Sequence, residues 1–490
     1  MTVIWLSSLT GGASAEISAT QAWESVKSQL ALLGDVAAQE NVSGNVLTIS
    51  DMSFVAADGD VTGEAALTGE IKFTENSDGT VTVDIPNGLT GRVSLDGPIG
   101  LATFDYSFTP EGLSALASGE DGQILYTIEA GRLVHSFSNI KIDGEESFGA
   151  SFELGMTGVN GGWSRDTMQS ESNITASYRY DQVKVTGEIN DADIGPVLDV
   201  NAVGLGLAVG ADISVPEDLA LDGTSGFLTS GLRFSSKTSY ETFSYDLDGR
   251  GMSAKANMGA GFIEASLDGD ALDYATEVTD LQVSANAGVF LPQIDFSLAT
   301  STSRLRATLP APGETQEIAS QFAYREARLG DGLWGLFDPQ GVLPREPVNM
   351  FFETEAEGGI DYLKDAAPLT YLLLKSRTPQ PLQSITIKEI FVTAAGAELQ
   401  GQGAFTFDNA DLESFGGIPR PKGSLDLQMS GAFGLLDNLA KAGLLPDAQA
   451  QGIKSMAGFF AKPGPTPDSL TSKIEITDEG RILANGVPLQ

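Results

Sequence analysis

The sequence predicts a mainly β protein of the α+β type. A long, curled antiparallel sheet follows an N-terminal helix, and a C-terminal β-α-α-β module closes the chain. Three observations point there. Apolar and polar residues alternate through most of the stretch from Asn45 to Arg328. Asp-Gly and Asn-Gly pairs recur between the alternating runs and supply the positive φ angles of tight hairpin turns. Clear helical periodicity is confined to the residues before Asn45 and those after Asp331.

The first element is a helix over Ser18 to Leu33. Ser18 with Gln21 three residues on makes a capping box; Ala22, Trp23, Val26, Leu30 and Leu33 share one face, and Gly34 is the stop. Trp23 reads as a core anchor. From Asn45 the period becomes two: Leu47 and Ile49, Ile71 and Phe73, then Val81, Val83 and Ile85. Turns are expected at Asp58-Gly59, Asp78-Gly79, Asn87-Gly88, Asp96-Gly97, Asp121-Gly122, Asp143-Gly144, Asn160-Gly161, Asp222-Gly223, Asp248-Gly249 and Asp268-Gly269. A sheet this long without helices must curl, fold over or close. Glycines inside strands, as in Val203 to Gly210, permit the bends that curling needs. A soft domain boundary is expected near Val215 to Asp218.

Asp331 to Pro347 breaks the pattern. It combines Trp334, Leu336, Phe337 and Leu343 with Pro339, Pro344 and Pro347, and reads as an ordered, irregular segment. Asp338 and Arg345 are expected to pair within it, and Trp334 and Phe337 to plug the end of the sheet's core. Beyond it a short helix is expected over Asp361 to Lys375 and a linker over Ser376 to Pro381. Strands resume at Ile385. Leu435, Leu436, Leu439 and Ala442 then form one helical face, and Ile453, Met456, Ala457 and Phe460 a second, with the pair expected to pack on a sheet. A hairpin from Lys473 to Leu489 ends the chain. The resulting division is residues 1–15, 16–44, 45–330 and 331–490: a truncated signal peptide, the N-terminal helix, the extended β region, and the Trp/Pro segment with its C-terminal module.

The reading of residues 1–15 rests on the apolar run Met1 to Leu9 and on Ala13-Ser14-Ala15, which matches a small-x-small cleavage site. No later run approaches the roughly 18 apolar residues of a membrane span. With no cysteine, disulfides, thiolate metal sites and cysteine nucleophiles are excluded. The 66 acidic residues against 28 basic ones give a charge of −38, which repels nucleic acid and anionic headgroups, and no basic patch stands out.

Little in the sequence carries chemistry. His135 is the single histidine. It shares a strand side with Leu133 and Phe137 and reads as a strand residue rather than a catalytic base. Asp58/Asp60, Asp191/Asp193, Asp246/Asp248 and Asp268/Asp270 lack a calcium-loop pattern, and aspartate beside glycine reads as turn chemistry. No phosphate-binding glycine loop occurs. No catalytic, cofactor-binding or metal-binding residues are assigned, and no cofactor is expected.

Leu333 to Pro347 resembles the signature of an alphaproteobacterial envelope family catalogued as domain of unknown function 2125. The early Trp23 helix, Ala395 to Gly403 and the terminal Asn485-Gly-Val-Pro-Leu489 resemble it as well. The resemblance implies an exported protein without assigned activity. More loosely, the long run of alternating strands is similar to the curled sheets of AsmA-like envelope proteins. The expected function is that of a non-catalytic, soluble periplasmic protein. It holds lipid or another amphiphile in a sheet groove, with an envelope protein as the other candidate partner. A structural or protein-interaction module is the alternative. An outer-membrane barrel and a carboxylate-dependent hydrolase rank lower.

Overall fold

The computed structural model describes residues 16–31, 34–58, 61–98, 100–143, 148–167, 171–191, 195–216, 231–286, 288, 292–309, 314–359, 382–416 and 418–489. The expectations for residues 1–15, Leu33, the turn glycines Gly59 and Gly144, Asp222-Gly223, Asp361 to Lys375 and Ser376 to Pro381 lie outside them. The chain divides into two compact units, residues 1–217 with 247–250 and residues 218–246 with 251–490. The main division falls at the soft boundary read near Val215 to Asp218.

The first unit holds helix α1 (Ala19–Leu30) and eleven strands: β1 (Asp35–Ser43), β2 (Val46–Asp58), β3 (Val61–Glu75), β4 (Val81–Asp84), β5 (Leu89–Gly97), β6 (Gly100–Glu111), β7 (Ser114–Glu120), β8 (Gln123–Ile142), β9 (Phe148–Asp166), β10 (Glu171–Asp191) and β11 (Gly195–Pro216). Among the described residues the pairings are antiparallel. Two long strands, β3 and β8, each serve two partners side by side: β3 pairs β4 and β5, while β8 pairs β7 and β6. The Ser18 capping box forms as the sequence indicates. The Ile17 N–H donates to the Gly79 carbonyl at 3.1 Å and the Ala19 N–H to Glu75 at 2.9 Å, fixing the start of α1 over the β3–β4 turn. Beneath it lies a closed core of Ala22, Trp23, Leu47, Ile49, Phe73, Val81, Ala117, Ile124 and Tyr126. Trp23 is its anchor, only 1% exposed.

Irregular backbone positions within the strands fall mostly at small or turn-forming residues. The strand pairs on either side place Gly131, Gly158, Asp181 and Gly206 in one row across β8 to β11. Gly158 and Gly206 take φ of 59° and 60° there, a conformation a β-carbon would strain. Asp51, Asn139, Asp280 and Glu326 take left-handed φ inside strands, each where the pairing breaks or skips. The turn expected at Asn160-Gly161 is a correction: both residues lie inside β9, paired to β8 and β10. A β-carbon on Gly161 would sit 2.2 Å from the Ser177 carbonyl, so the glycine there serves close strand approach.

The second unit is itself a meander: β12 (Arg233–Tyr240), β13 (Thr242–Gly249, whose last three residues fall in the first unit), β14 (Met252–Met258), β15 (Gly261–Leu267), β16 (Ala271–Asn286), β17 (Ile294–Thr308), β18 (Thr315–Leu329), β19 (Val348–Gly359), β20 (Leu382–Ala394), β21 (Ala397–Asp408), β22 (Arg420–Ser430), β23 (Lys462–Pro463), β24 (Ser469–Ile476), β25 (Ile482–Ala484) and β26 (Val487–Pro488). From β15 to β22 neighbours in sequence pair in order. Helix α2 (Asp331–Phe337) is an excursion between β18 and β19, which pair directly. The Trp/Pro segment is therefore not a seam ending the long sheet. Helices α3 (Ala432–Lys441) and α4 (Asp447–Phe460) are a second excursion, between the paired strands β22 and β24. This is the expected β-α-α-β module.

Candidate functional site: open apolar sheet faces

Residues opposed across neighbouring strands share a face. In the first unit, register aligns Phe54, Ala65, Val93 and Phe104 across β2, β3, β5 and β6. A second row runs Tyr106, Phe137, Phe152, Gly187 and Val200 across β6, β8, β9, β10 and β11. The Phe104 and Phe137 rings lie 5.9 Å apart and join the rows into one surface. Its side chains are half-buried rather than buried. Along β3 the change is visible within one strand: Phe73, under α1, is buried, while Ile71, Leu67 and Ala65 on the same alternation are half-buried. The core is closed beneath α1, and the apolar face continues beyond it without comparable cover among the described residues.

The second unit repeats the arrangement. One row runs Tyr324, Met350, Val392, Leu399, Met429 and Leu470. The next runs Phe322, Phe352, Ile390, Gly401 and Leu427. Phe322, Tyr324 and Met350 are exposed and the others half-buried. On the neighbouring strands β12 and β15 to β17, ion pairs cross between strands, such as Asp273 with Arg306 at 2.7 Å and Lys237 with Glu264 at 3.1 Å. A shallow cavity of about 540 Å³ lies among such residues, lined by Glu264, Asp273, Arg304, Arg306, Glu353 and Glu355.

His135 belongs to the first apolar face. Its Nδ1 lies 2.8 Å from the Tyr106 hydroxyl, and its ring centroid 4.8 Å from that of Phe108. Burial pushes the imidazole below its ordinary value and the Tyr106 phenol above its own. The face shared with Phe137 is the one the alternation indicated, since both rings contact Tyr106.

The other sequence candidates resolve as follows. Asp268 accepts the N–H groups of Asp270 and Ala271, as a turn-capping aspartate does. Asp246 pairs with Lys255 at 2.9 Å. Asp60 and Asp193 lie outside the described residues, among which no three histidine, aspartate or glutamate side chains converge as metal ligands. Hydrogen bonds hold Glu40, Asp78, Asp105, Asp268, Asp411 and Glu479 below the ordinary carboxylate range, opposite to the shift a general acid requires.

The Trp/Pro segment differs from expectation in three ways. Its first half is helical. Arg345 pairs with Asp331 at 3.0 Å rather than with the Asp338 carboxylate, which instead accepts the backbone N–H groups of Val342 and Leu343. Arg345 reaches only the Asp338 carbonyl, and its guanidinium lies over the Trp334 ring, 5.3 Å from the centroid. Trp334 and Phe337, 5.0 Å apart, are half-buried; Asp338 and Leu343 are the buried residues. The aromatic pair therefore does not plug a core.

A family model described as an uncharacterised protein conserved in bacteria, DUF2125, matches residues 182–490, more than half of the chain. The chain belongs to this family. The DUF2125 match begins within β10, so it takes in the Trp/Pro segment and the second apolar face, whereas the Trp23 helix precedes it. The chain matches no curated protein. Among the described residues of this DUF2125 protein, no helix is long and apolar enough to cross a membrane.

Proposed function

We propose that this DUF2125 protein is a non-catalytic, exported protein of the periplasm that holds the acyl chain of a lipid or a similar amphiphile against its open apolar sheet faces. One observation carries the reading: in each unit the register assembles a multi-strand apolar face whose side chains remain half-buried or, at Phe322, Tyr324 and Met350, exposed. A sheet face normally gains its stability by burial against a second layer. A face left open suits a guest that completes the layer. About ten shielded methylenes contribute about 8 kcal/mol of transfer free energy, part of which the guest's lost freedom offsets. Such a grip has no need of a fixed headgroup site. The absence of cysteine suits an oxidising compartment.

Native mass spectrometry of the protein purified without detergent from its host envelope tests this. Lipid-sized adducts are expected on the wild type and should be depleted in Phe137→Asp and Phe352→Asp, which place a charge on each face. Adduct-free protein, or a co-purifying partner protein in place of lipid, would overturn the proposal in favour of an interaction module.

A further inference from the structure

The first apolar face carries a polar pair. Register aligns Leu89, Phe108, His135, Leu154, Val185 and Ala202 across β5, β6, β8, β9, β10 and β11. Every residue of this row is apolar except His135, whose Nδ1 lies 2.8 Å from the hydroxyl of Tyr106 in the next row. Both residues are half-buried, on a face without comparable cover. Tyr106 is opposed by Gly91 and Phe137, and His135 by Phe108 and Leu154, so none of the side chains opposite them is charged.

A neutral tyrosine–histidine pair has two polar hydrogens, and the bond between them uses one. The other sits on Nε2 when the phenol donates, and on the phenol when Nδ1 donates. In either tautomer it has no acceptor among the described residues, because neither side chain makes a further hydrogen bond there. Solvent can accept it while the face is open. A guest lying along these rows must bring an acceptor of its own or leave the donor desolvated.

A carboxyl group suits this place better than a phosphate. A phosphodiester stays ionised and is held best by a guanidinium, and no arginine opposes either residue. A carboxylate that docks together with one proton makes the imidazole an imidazolium. The two then form a charge-assisted pair that leaves no net charge on the apolar face. An ester carbonyl accepts the same hydrogen but forms no ion pair.

We infer that the Tyr106–His135 pair receives the carboxyl group of a long-chain fatty acid whose alkyl chain lies along the first apolar face. The inference rests on the acyl-binding reading and names the guest of one face. Calorimetric titration of the delipidated full chain with dodecanoate and with methyl dodecanoate tests it, in a Phe352→Asp background that silences the second face. Dodecanoate is expected to bind about tenfold tighter than the ester, the scale of one charge-assisted hydrogen bond. His135→Phe keeps a ring in the cluster and should abolish that preference while the ester still binds. Proton NMR supplies a readout that packing alone would not move. Dodecanoate, and not the ester, should raise the titration midpoint of the single imidazole; its one titratable contact among the described residues is Tyr106. Melting curves like that of the wild type check that the variants fold. Equal affinity for acid and ester, a preference kept in His135→Phe, or an unmoved midpoint would each overturn the inference and leave the acyl-binding reading standing. Binding of neither ligand would overturn both.

Discussion

The carboxylate of Asp338 receives the backbone N–H of Leu343 at 2.9 Å, and both residues are buried. The same carboxylate takes the N–H of Val342, so one side chain closes the loop that follows α2. Two partly desolvated donors depend on it. Leaving a buried donor unpaired costs about 1–3 kcal/mol, so Asp338→Ala is expected to lose about 2–4 kcal/mol. Arg345→Ala removes a pair whose Asp331 partner is almost fully exposed and should cost under about 1 kcal/mol. Urea titrations of the two variants give the comparison; equal losses would contradict the assignment.

This segment also shows how far the sequence could be read. Proline and aromatic spacing marks an ordered break, and alternation predicts β18 before it but not β19 after it, since strands are expected to resume only at Ile385. The partner of Arg345 is not legible either, because it depends on a short helix containing Gly332 and Gly335, residues of low helix propensity. Alternation likewise revealed that the sheet has an apolar face but not whether anything lies over it. Helical period showed that α4 is amphipathic but not which side faces inward. Ile453, Met456 and Phe460 are exposed. Pinning of the Phe460 carbonyl by Ser472 and Asn485 decides that, and these lie twelve and twenty-five positions away. Asn160-Gly161 misled because one dipeptide serves both tight turns and close strand approach.

Trp23 closes the covered end of the first sheet. Its indole N–H donates to Glu40 at 2.9 Å, its ring lies 6.0 Å from Phe73, and Tyr126 bonds the Ala22 carbonyl beside it. Burial raises the Tyr126 phenol to about 12, as expected for a dry site. Truncating a buried tryptophan typically costs about 3–5 kcal/mol. Trp23→Ala should lower the melting temperature and raise binding of an apolar fluorescent dye, because removing the anchor exposes the closed core. An unchanged dye signal would mean that α1 does not act as a cover.

Gly162 sets the spacing of β8 and β9. A β-carbon on it would lie 2.0 Å from the Tyr126 carbonyl, with only backbone to yield. The neighbouring Trp163 stacks on Tyr126 at 4.1 Å. Gly162→Ala must push the strands apart and disturb that stack, and a cost of at least about 2 kcal/mol is expected, comparable to overpacking in a core. Gly335→Ala, where a β-carbon meets nothing within 4 Å, is the control and should be neutral or slightly stabilising. Near-ultraviolet circular dichroism with thermal melts separates them, and similar behaviour of both would refute the close-approach reading.

The sole histidine offers a clean titration. His135 is half-buried among Tyr106, Phe108 and Phe137, and burial lowers its pKa. The unfolded chain therefore binds the proton more readily than the folded one. Stability is fully present above the unfolded value of about 6.5 and is lost as pH falls from there through the folded value. His135→Phe keeps an aromatic ring in the cluster and removes the titration. The wild type should lose melting temperature between about pH 6.5 and pH 5.5 while His135→Phe stays nearly flat there. The single imidazole resonance, followed by proton NMR, should report a midpoint below 6.5. A midpoint above that value, or parallel melting curves for the two proteins, would show that the aromatic face does not disfavour charge at this position.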